Sequence, residues 1–119
     1  MAVQRQDGWA ADAAESAEDL TGKEMYLCAR TSTGKVRICG EGEVVAGVIS
    51  EGRVAGAHTS FNTGGHPLKV VAGDPITAGD KVQSDSSGRA VTGTTNSFGI
   101  ARNTVNAAGV IVEVDMDRT

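Results

Sequence analysis

The chain has 119 residues, 39% of them hydrophobic, and a net charge of −4 from 15 acids and 11 bases. That length holds one small domain with a modest core. No apolar run approaches the ~20 residues of a membrane-spanning helix, and a body without concentrated basic surface is a poor partner for nucleic acid.

The first nineteen residues stand apart. They hold Asp7, Asp12, Glu15, Glu18 and Asp19 against Arg5, five acids less one base, which accounts for the whole net charge of −4. "MAVQRQDGWAADAAESAEDL" lacks the apolar stretch of a signal peptide. The expected site of synthesis is therefore a cytoplasm, where thiols stay reduced. "AADAAESAEDL" is rich in alanine and acids and follows directly on Trp9. Alone it buries too little to offset its ordering entropy. Residues 1–19 are expected to form an extended acidic arm that can become helical on contact. Trp9 would either anchor in a partner's pocket or cap the domain's own core.

From Leu20 onward the pattern is short β runs between turns. The predicted strands are 25–30, 35–39, 44–50, 67–73, 80–85, 89–93, 98–102 and 109–116. With sixteen glycines and four aromatic residues, the fold class is expected to be all-β, a small β-barrel or β-sandwich-like domain over residues 20–119. The domain reads as two related β units, about 20–73 and 74–116. "LTGKEMYLCARTSTGKVRICG" is echoed by "ITAGDKVQSDSSGRAVTG", "GVI" at 47–49 by "GIA" at 99–101, and each unit closes on a valine-rich run. Gly34 and Gly88 stand where each hairpin turn needs a positive φ. The copies differ mainly in one stretch. Gly47 to Leu68 spans 21 positions whereas Gly99 to Val110 spans 11. This suggests an inserted, mobile loop over 51–67 that carries His58, Phe61 and His66.

Cys28 and Cys39 flank the first turn. If Thr33 and Gly34 are the central residues of a tight two-residue turn, the two cysteines pair directly across the hairpin. They would share a face with Tyr26, Arg30 and Arg37, opposite Leu27, Ala29, Val36 and Ile38. They then read as two reduced strand thiols, with a disulfide as the alternative. A metal site from Cys28, Cys39, His58 and His66 lacks the close ligand pairs zinc sites use, so no metal is expected. "STGKV" is not a phosphate loop, because Ala29 and Val36 stand where Gly and Ser/Thr are needed. No Gly-x-Ser-x-Gly elbow, carboxylate pair or Cys-x-x-Cys motif is present. Neither a catalytic centre nor a cofactor is expected.

"VVAGDPITAGDKVQSDSSGRAV", "FGIA" and "GVIVEVD" resemble the capsid decoration, or head cement, proteins of tailed phages, over about residues 20–116. The resemblance implies a small β-barrel-like structural protein on the capsid exterior. It also implies a homotrimer at three-fold or quasi-three-fold positions, with the major capsid protein as partner and no catalytic role. On that reading Trp9, His58, Phe61 and His66 are candidate capsid or trimer contacts. Three other readings stand beside it. The first is a glycan- or host-surface-binding module, which needs an aromatic platform from Tyr26, Phe61 and Phe98. The others are a lipoyl-type carrier, for which Lys35 lacks the preceding acid, and a cysteine redox enzyme.

Overall fold

In a computed structural model, which describes residues 10–64 and 67–116, the chain forms two five-stranded antiparallel sheets packed as a sandwich. The first contains β1 (Ala10–Glu15), β2 (Leu27–Arg30), β3 (Val36–Ile38), β4 (Gly47–Glu51) and β5 (His58–Gly64), in the order β1-β5-β4-β2-β3. The second contains β6 (Leu68–Val71), β7 (Lys81–Ser84), β8 (Ala90–Thr92), β9 (Gly99–Ala101) and β10 (Ile111–Met116), in the order β6-β10-β9-β7-β8. Read strand for strand, the two orders are the same. The duplication seen in the sequence is a duplication of topology.

Eight of these strands fall on the runs read from the sequence. The other two, β1 and β5, form where the sequence suggests an arm and a mobile loop. β1 runs antiparallel to β5 from Ala11↔Asn62 to Glu15↔His58. Its acids, and Glu18 just beyond it, have partners on the β2–β3 hairpin. Asp12 pairs with Arg30 at 2.7 Å, Glu15 with Lys35 at 3.5 Å, and the Glu18 carboxylate accepts the Ile38 N–H at 2.9 Å. β5 sits second in its sheet, between β1 and β4. Thr59 and Phe61 point inward from it, and Thr59 is satisfied by the Ser16 hydroxyl at 2.6 Å and by the Arg53 N–H at 3.0 Å.

Placing β1 and β5 in one unit moves the repeat boundary. The first unit is β1–β5 and the second β6–β10, so the valine-rich run at 68–71 opens the second unit rather than closing the first. The inserted loop then disappears. A Cβ on Gly47 would run into the Asn62 carbonyl, and one on Gly99 into the Asp115 carbonyl. The spacings are 62 − 47 = 15 and 115 − 99 = 16, nearly equal. In both units the chain just past the first strand meets the start of the third strand through one parallel bridge, Ser16↔Val36 and Ala72↔Ala90. Each sheet is thus curled, and one bridge leaves it open rather than closed as a barrel.

The hairpin register differs from the two-residue turn expected. Observed pairs are Cys28↔Ile38, Ala29↔Arg37 and Arg30↔Val36. The turn is one residue longer. The Thr31 N–H donates to the Lys35 carbonyl at 2.8 Å, the Gly34 N–H to the Thr31 carbonyl at 3.0 Å, and Gly34 sits at φ 85°. The Thr31 hydroxyl accepts the Lys35 N–H at 3.1 Å. This turn-plus-bulge loop shifts every pair by one residue, and a one-residue shift moves side chains to the other face. Cys28 and Cys39 therefore do not face each other. Cys28 joins Ala14, Leu20, Val36, Ile49 and Phe61 inside the curl of the first sheet. Cys39 joins Leu27, Ala29, Val45 and Val48 in the larger core shared with the second sheet, among Val70, Val82, Phe98 and Val112.

The second unit's turn docks on the first unit. The Gly88 carbonyl accepts the Leu27 N–H at 2.7 Å, and a Cβ on Gly88 would lie 2.9 Å from both Ile38 Cγ2 and the Leu27 carbonyl. Its counterpart Gly34 has open space around it. Both glycines have positive φ, which costs an L-residue roughly 1–2 kcal/mol. Gly34→Ala should lower unfolding free energy by about that much. Gly88→Ala should lose a further roughly 1–3 kcal/mol through overpacking at the unit junction. Urea denaturation of both variants checks this, and equal losses would refute the docking argument.

Candidate contact surface

Of the four candidate contacts, Trp9 and His66 lie outside the described residues. His58 is exposed at the start of β5, across from Glu15. Phe61 is 1% exposed and packs inside the first sheet, with the Arg30 guanidinium 5.4 Å from its ring centre. His58 and Phe61 are an odd number of residues apart on one strand, so they point to opposite faces. The fold does not bring them together. Phe98 is also 1% exposed, and Tyr26 is half-buried under the Lys23 ammonium at 5.0 Å. These three are the aromatic side chains among the described residues, and they form no exposed platform.

The strongest surface feature is Val44, which is 64% exposed while its neighbour Val45 is buried. The 39–46 segment that carries it is pinned from three sides. The Arg37 guanidinium grips both oxygens of Glu43 at 2.7 and 3.1 Å, and the Gly40 N–H donates to the same carboxylate at 2.7 Å. The Arg37 hydrogen bonds hold the Glu43 carboxyl below its usual range. The Gly42 N–H donates to the Ser84 carbonyl at 2.9 Å, and the Asn96 amide to the Gly42 carbonyl at 2.9 Å. Lastly, the Ala46 N–H donates to the Cys28 carbonyl at 2.8 Å.

Val44 stands between two hollows. One, of about 440 Å³, is lined by Arg30, Val44, Val45, Ala46, Phe61 and Thr63. The other, of about 130 Å³, is lined by Val44, Val45, Asn96, Ser97 and Phe98. An exposed aliphatic apex on a stiff loop with a hollow on each side can key into a complementary protein surface. Sequence reading takes 44–50 as one strand and so misses the apex. The available signal is the Val44-Val45 pair, since two adjacent residues of an extended chain face opposite ways.

Neither thiol is placed for chemistry. Both cysteines are free and buried. The Cys28 Sγ donates to the Gly47 carbonyl at 3.4 Å. Burial, with Cys39 nearby, pushes its pKa up to about 12. Burial also raises that of Cys39. A thiolate is the reactive form, so both are held inert.

This arrangement defines a small all-β module whose distinctive exposed features are packing surfaces. Residues 6–116 match the family described as phage cement protein. The chain belongs to that family, and it is a capsid-associated structural protein of the phage head. Its fold is also similar to that of the head fiber gp8.5 N base in bacteriophage phi29, with a TM-score of 0.72 and 18% identity over 93% of this chain and 96% of that one. At that identity the likeness is one of fold. No curated protein sequence matches the chain.

The thiols give a test with a definite sign. Because the folded pKa of Cys28 is raised from 9.0 to about 12, the fold favours the protonated form. The stability this contributes is complete below pH 9.0 and declines as pH rises towards about 12. Urea midpoints measured across that range should fall for the native chain and fall less for Cys28→Ala. A pH-matched decline in both would assign the loss to other groups.

Proposed function

We propose that this chain is a non-catalytic cement subunit that binds the outer face of an assembled phage capsid. It acts there as a homotrimer at three-fold or quasi-three-fold positions, with the major capsid protein as its partner. It is made in the cytoplasm of the bacterial host. Family membership across residues 6–116 carries this reading.

The surface supports it. Burying Val44 and filling its flanking hollows would remove apolar area from water without distorting a loop that is already fixed, so little ordering entropy opposes binding. Many copies around one shell act together, and modest affinity per site suffices. Val54, 58% exposed on the segment between β4 and β5, is a further exposed aliphatic residue that contacts between copies could bury.

Co-sedimentation with empty shells tests the proposal. Val44→Asp should reduce occupancy by roughly tenfold or more, the effect expected of a contact worth over 1.4 kcal/mol, with the thermal midpoint unchanged. Undiminished occupancy would move the contact face away from Val44. Light scattering across a dilution series addresses assembly. A chain that stays monomeric and fails to bind shells would overturn the reading as a whole.

A further inference from the structure

The two units match in their backbone bonding. The Met25 N–H donates to the Ile49 carbonyl at 2.8 Å, and the Gly79 N–H to that of Ala101 at 2.8 Å. The Cys39 N–H donates to the Leu27 carbonyl at 3.0 Å, and the Gly93 N–H to that of Lys81 at 3.0 Å. The Ser16 N–H donates to the Ala57 carbonyl at 2.8 Å, and the Ala72 N–H to that of Val110 at 2.9 Å. With the two hairpin turns, these matches make Glu15 the counterpart of Val71, Met25 of Gly79, Leu27 of Lys81 and Gly34 of Gly88. Met25 and Gly79 share even a left-handed backbone, at φ 70° and 94°.

Among the bonds that dock the second unit on the first, the Val71 N–H donates to the Met25 carbonyl at 2.9 Å and the Leu27 N–H to the Gly88 carbonyl at 2.7 Å. Exchanging each residue for its counterpart gives a reciprocal pair, the Glu15 N–H to the Gly79 carbonyl and the Lys81 N–H to the Gly34 carbonyl. Among the described residues the chain makes neither bond. The contact is head-to-tail and leaves one half of itself unused on each unit.

Both halves face outward. Successive residues of a strand turn their backbone groups to alternate sides. Ser16 turns its N–H towards Ala57, so that of Glu15 faces the other way. The Lys81 carbonyl binds Gly93 on the side away from β9, and its N–H shares that side. Gly34, Gly79, Lys81 and Thr92 are exposed, and a Cβ on either glycine would meet no atom within 4 Å. The Arg30 guanidinium uses one lone pair of the Gly34 carbonyl, and a carbonyl oxygen has two. Each half also carries an acid beside a base, Glu15 with Lys35 and Asp80 with Lys81, so opposite charges can meet across the contact.

We propose that a second copy of this chain docks there, the first unit of one copy on the second unit of the next, repeating the contact that joins the units within each chain. Two different faces meet, so copies join head to tail and close as a ring in which first and second units alternate. The inference rests on the trimer proposed above and supplies its interface. Lys81, Gln83 and Ser97 stand where the internal contact has Leu27, Ala29 and Val45, so the contact between copies is the more polar and the weaker of the two.

Two single variants test this, Ser32→Cys beside the Gly34 turn and Thr92→Cys on the receiving half. Thr92 is the counterpart of Ile38, whose side chain lies against Gly88. Both native cysteines are buried, so a short bismaleimide reports on the new thiols. Co-expressed variants, treated both free and on empty shells, should yield a covalent pair joining one variant to the other, and each variant alone should yield none. Pairs from either variant alone would reveal a two-fold contact and overturn the proposal. Shells occupied without mixed pairs would overturn it while leaving the capsid reading intact. Mixed pairs from chains that fail to bind shells would uphold the contact and remove the capsid reading, and the absence of both would overturn both.

Discussion

The structure depends on the contact between the Gly88 turn and strand β2. A hairpin of the second unit sets its carbonyl on the Leu27 N–H at 2.7 Å. The approach is close enough that only a residue without a side chain fits there. That contact fixes how the two curled sheets sit on each other. With it in place, Leu27, Ala29 and Cys39 face the second sheet and complete a core with Val70, Val82 and Val112. The first sheet alone would leave that face uncovered, since Cys28, Val36, Ile49 and Phe61 already fill its other side. A small chain that builds two cores around one sheet needs the second unit to cover what the first exposes.

The docking is one-way, and the reason lies in two side chains. In the first unit the carbonyl equivalent to that of Gly88 belongs to Gly34, and it accepts a hydrogen bond from the Arg30 guanidinium at 3.0 Å. Arg30 also binds Asp12 and lies over Phe61. The residue equivalent to Arg30 in the second unit is Ser84, which cannot reach its own turn and donates instead to the carbonyls of Asp85 at 2.9 Å and Cys39 at 3.4 Å. The second turn's carbonyl is thus left for Leu27, while the first turn's is taken within its own unit. A head-to-tail relation between repeats is open to continuation by a third unit or another copy. In the first unit Arg30 engages that acceptor locally.

Sequence reading recovers the fold class, the doubling and eight strands because these rest on local signals: alternation, β-branched residues, and glycines at turns. It places the repeat boundary wrongly because the strongest echo, the valine-rich run at 68–71 against that at 111–114, matches composition rather than topological position. The true counterpart of β10 is β5, whose sequence HTSFNTG has one large apolar residue. β5 is held by tertiary partners: Ser16 on Thr59, and the strands on either side. β1 is likewise an alanine-rich segment whose strand state is imposed by β5, by Arg30 and by Lys35, none of which is local in sequence. The cysteine register fails by one residue because a Thr-Gly turn permits two loop lengths, and the Thr31 hydroxyl, which selects the longer, acts through a hydrogen bond that no periodicity encodes. Of the candidate contacts, Phe61 reads as available only while β5 is taken for a loop. Val44 is invisible until the loop that lifts it is seen to be pinned.

The same junction that stabilises the fold also shapes its surface. Val44 is carried by the first unit, yet two of the bonds that hold its loop come from the second: the Ser84 carbonyl accepts the Gly42 N–H, and the Asn96 amide donates to the Gly42 carbonyl. One hollow beside the apex is walled by Phe61 of the first unit and the other by Phe98 of the second. Neither unit alone would present the apex with a hollow on each side. Asn96 itself sits at φ 48°, a left-handed conformation that asparagine tolerates better than most residues, so its amide is aimed across the junction by a backbone its side chain suits. Duplication here does more than enlarge the core. It brings two aromatic-walled hollows to one edge, with the loop between them anchored by hydrogen bonds from both units.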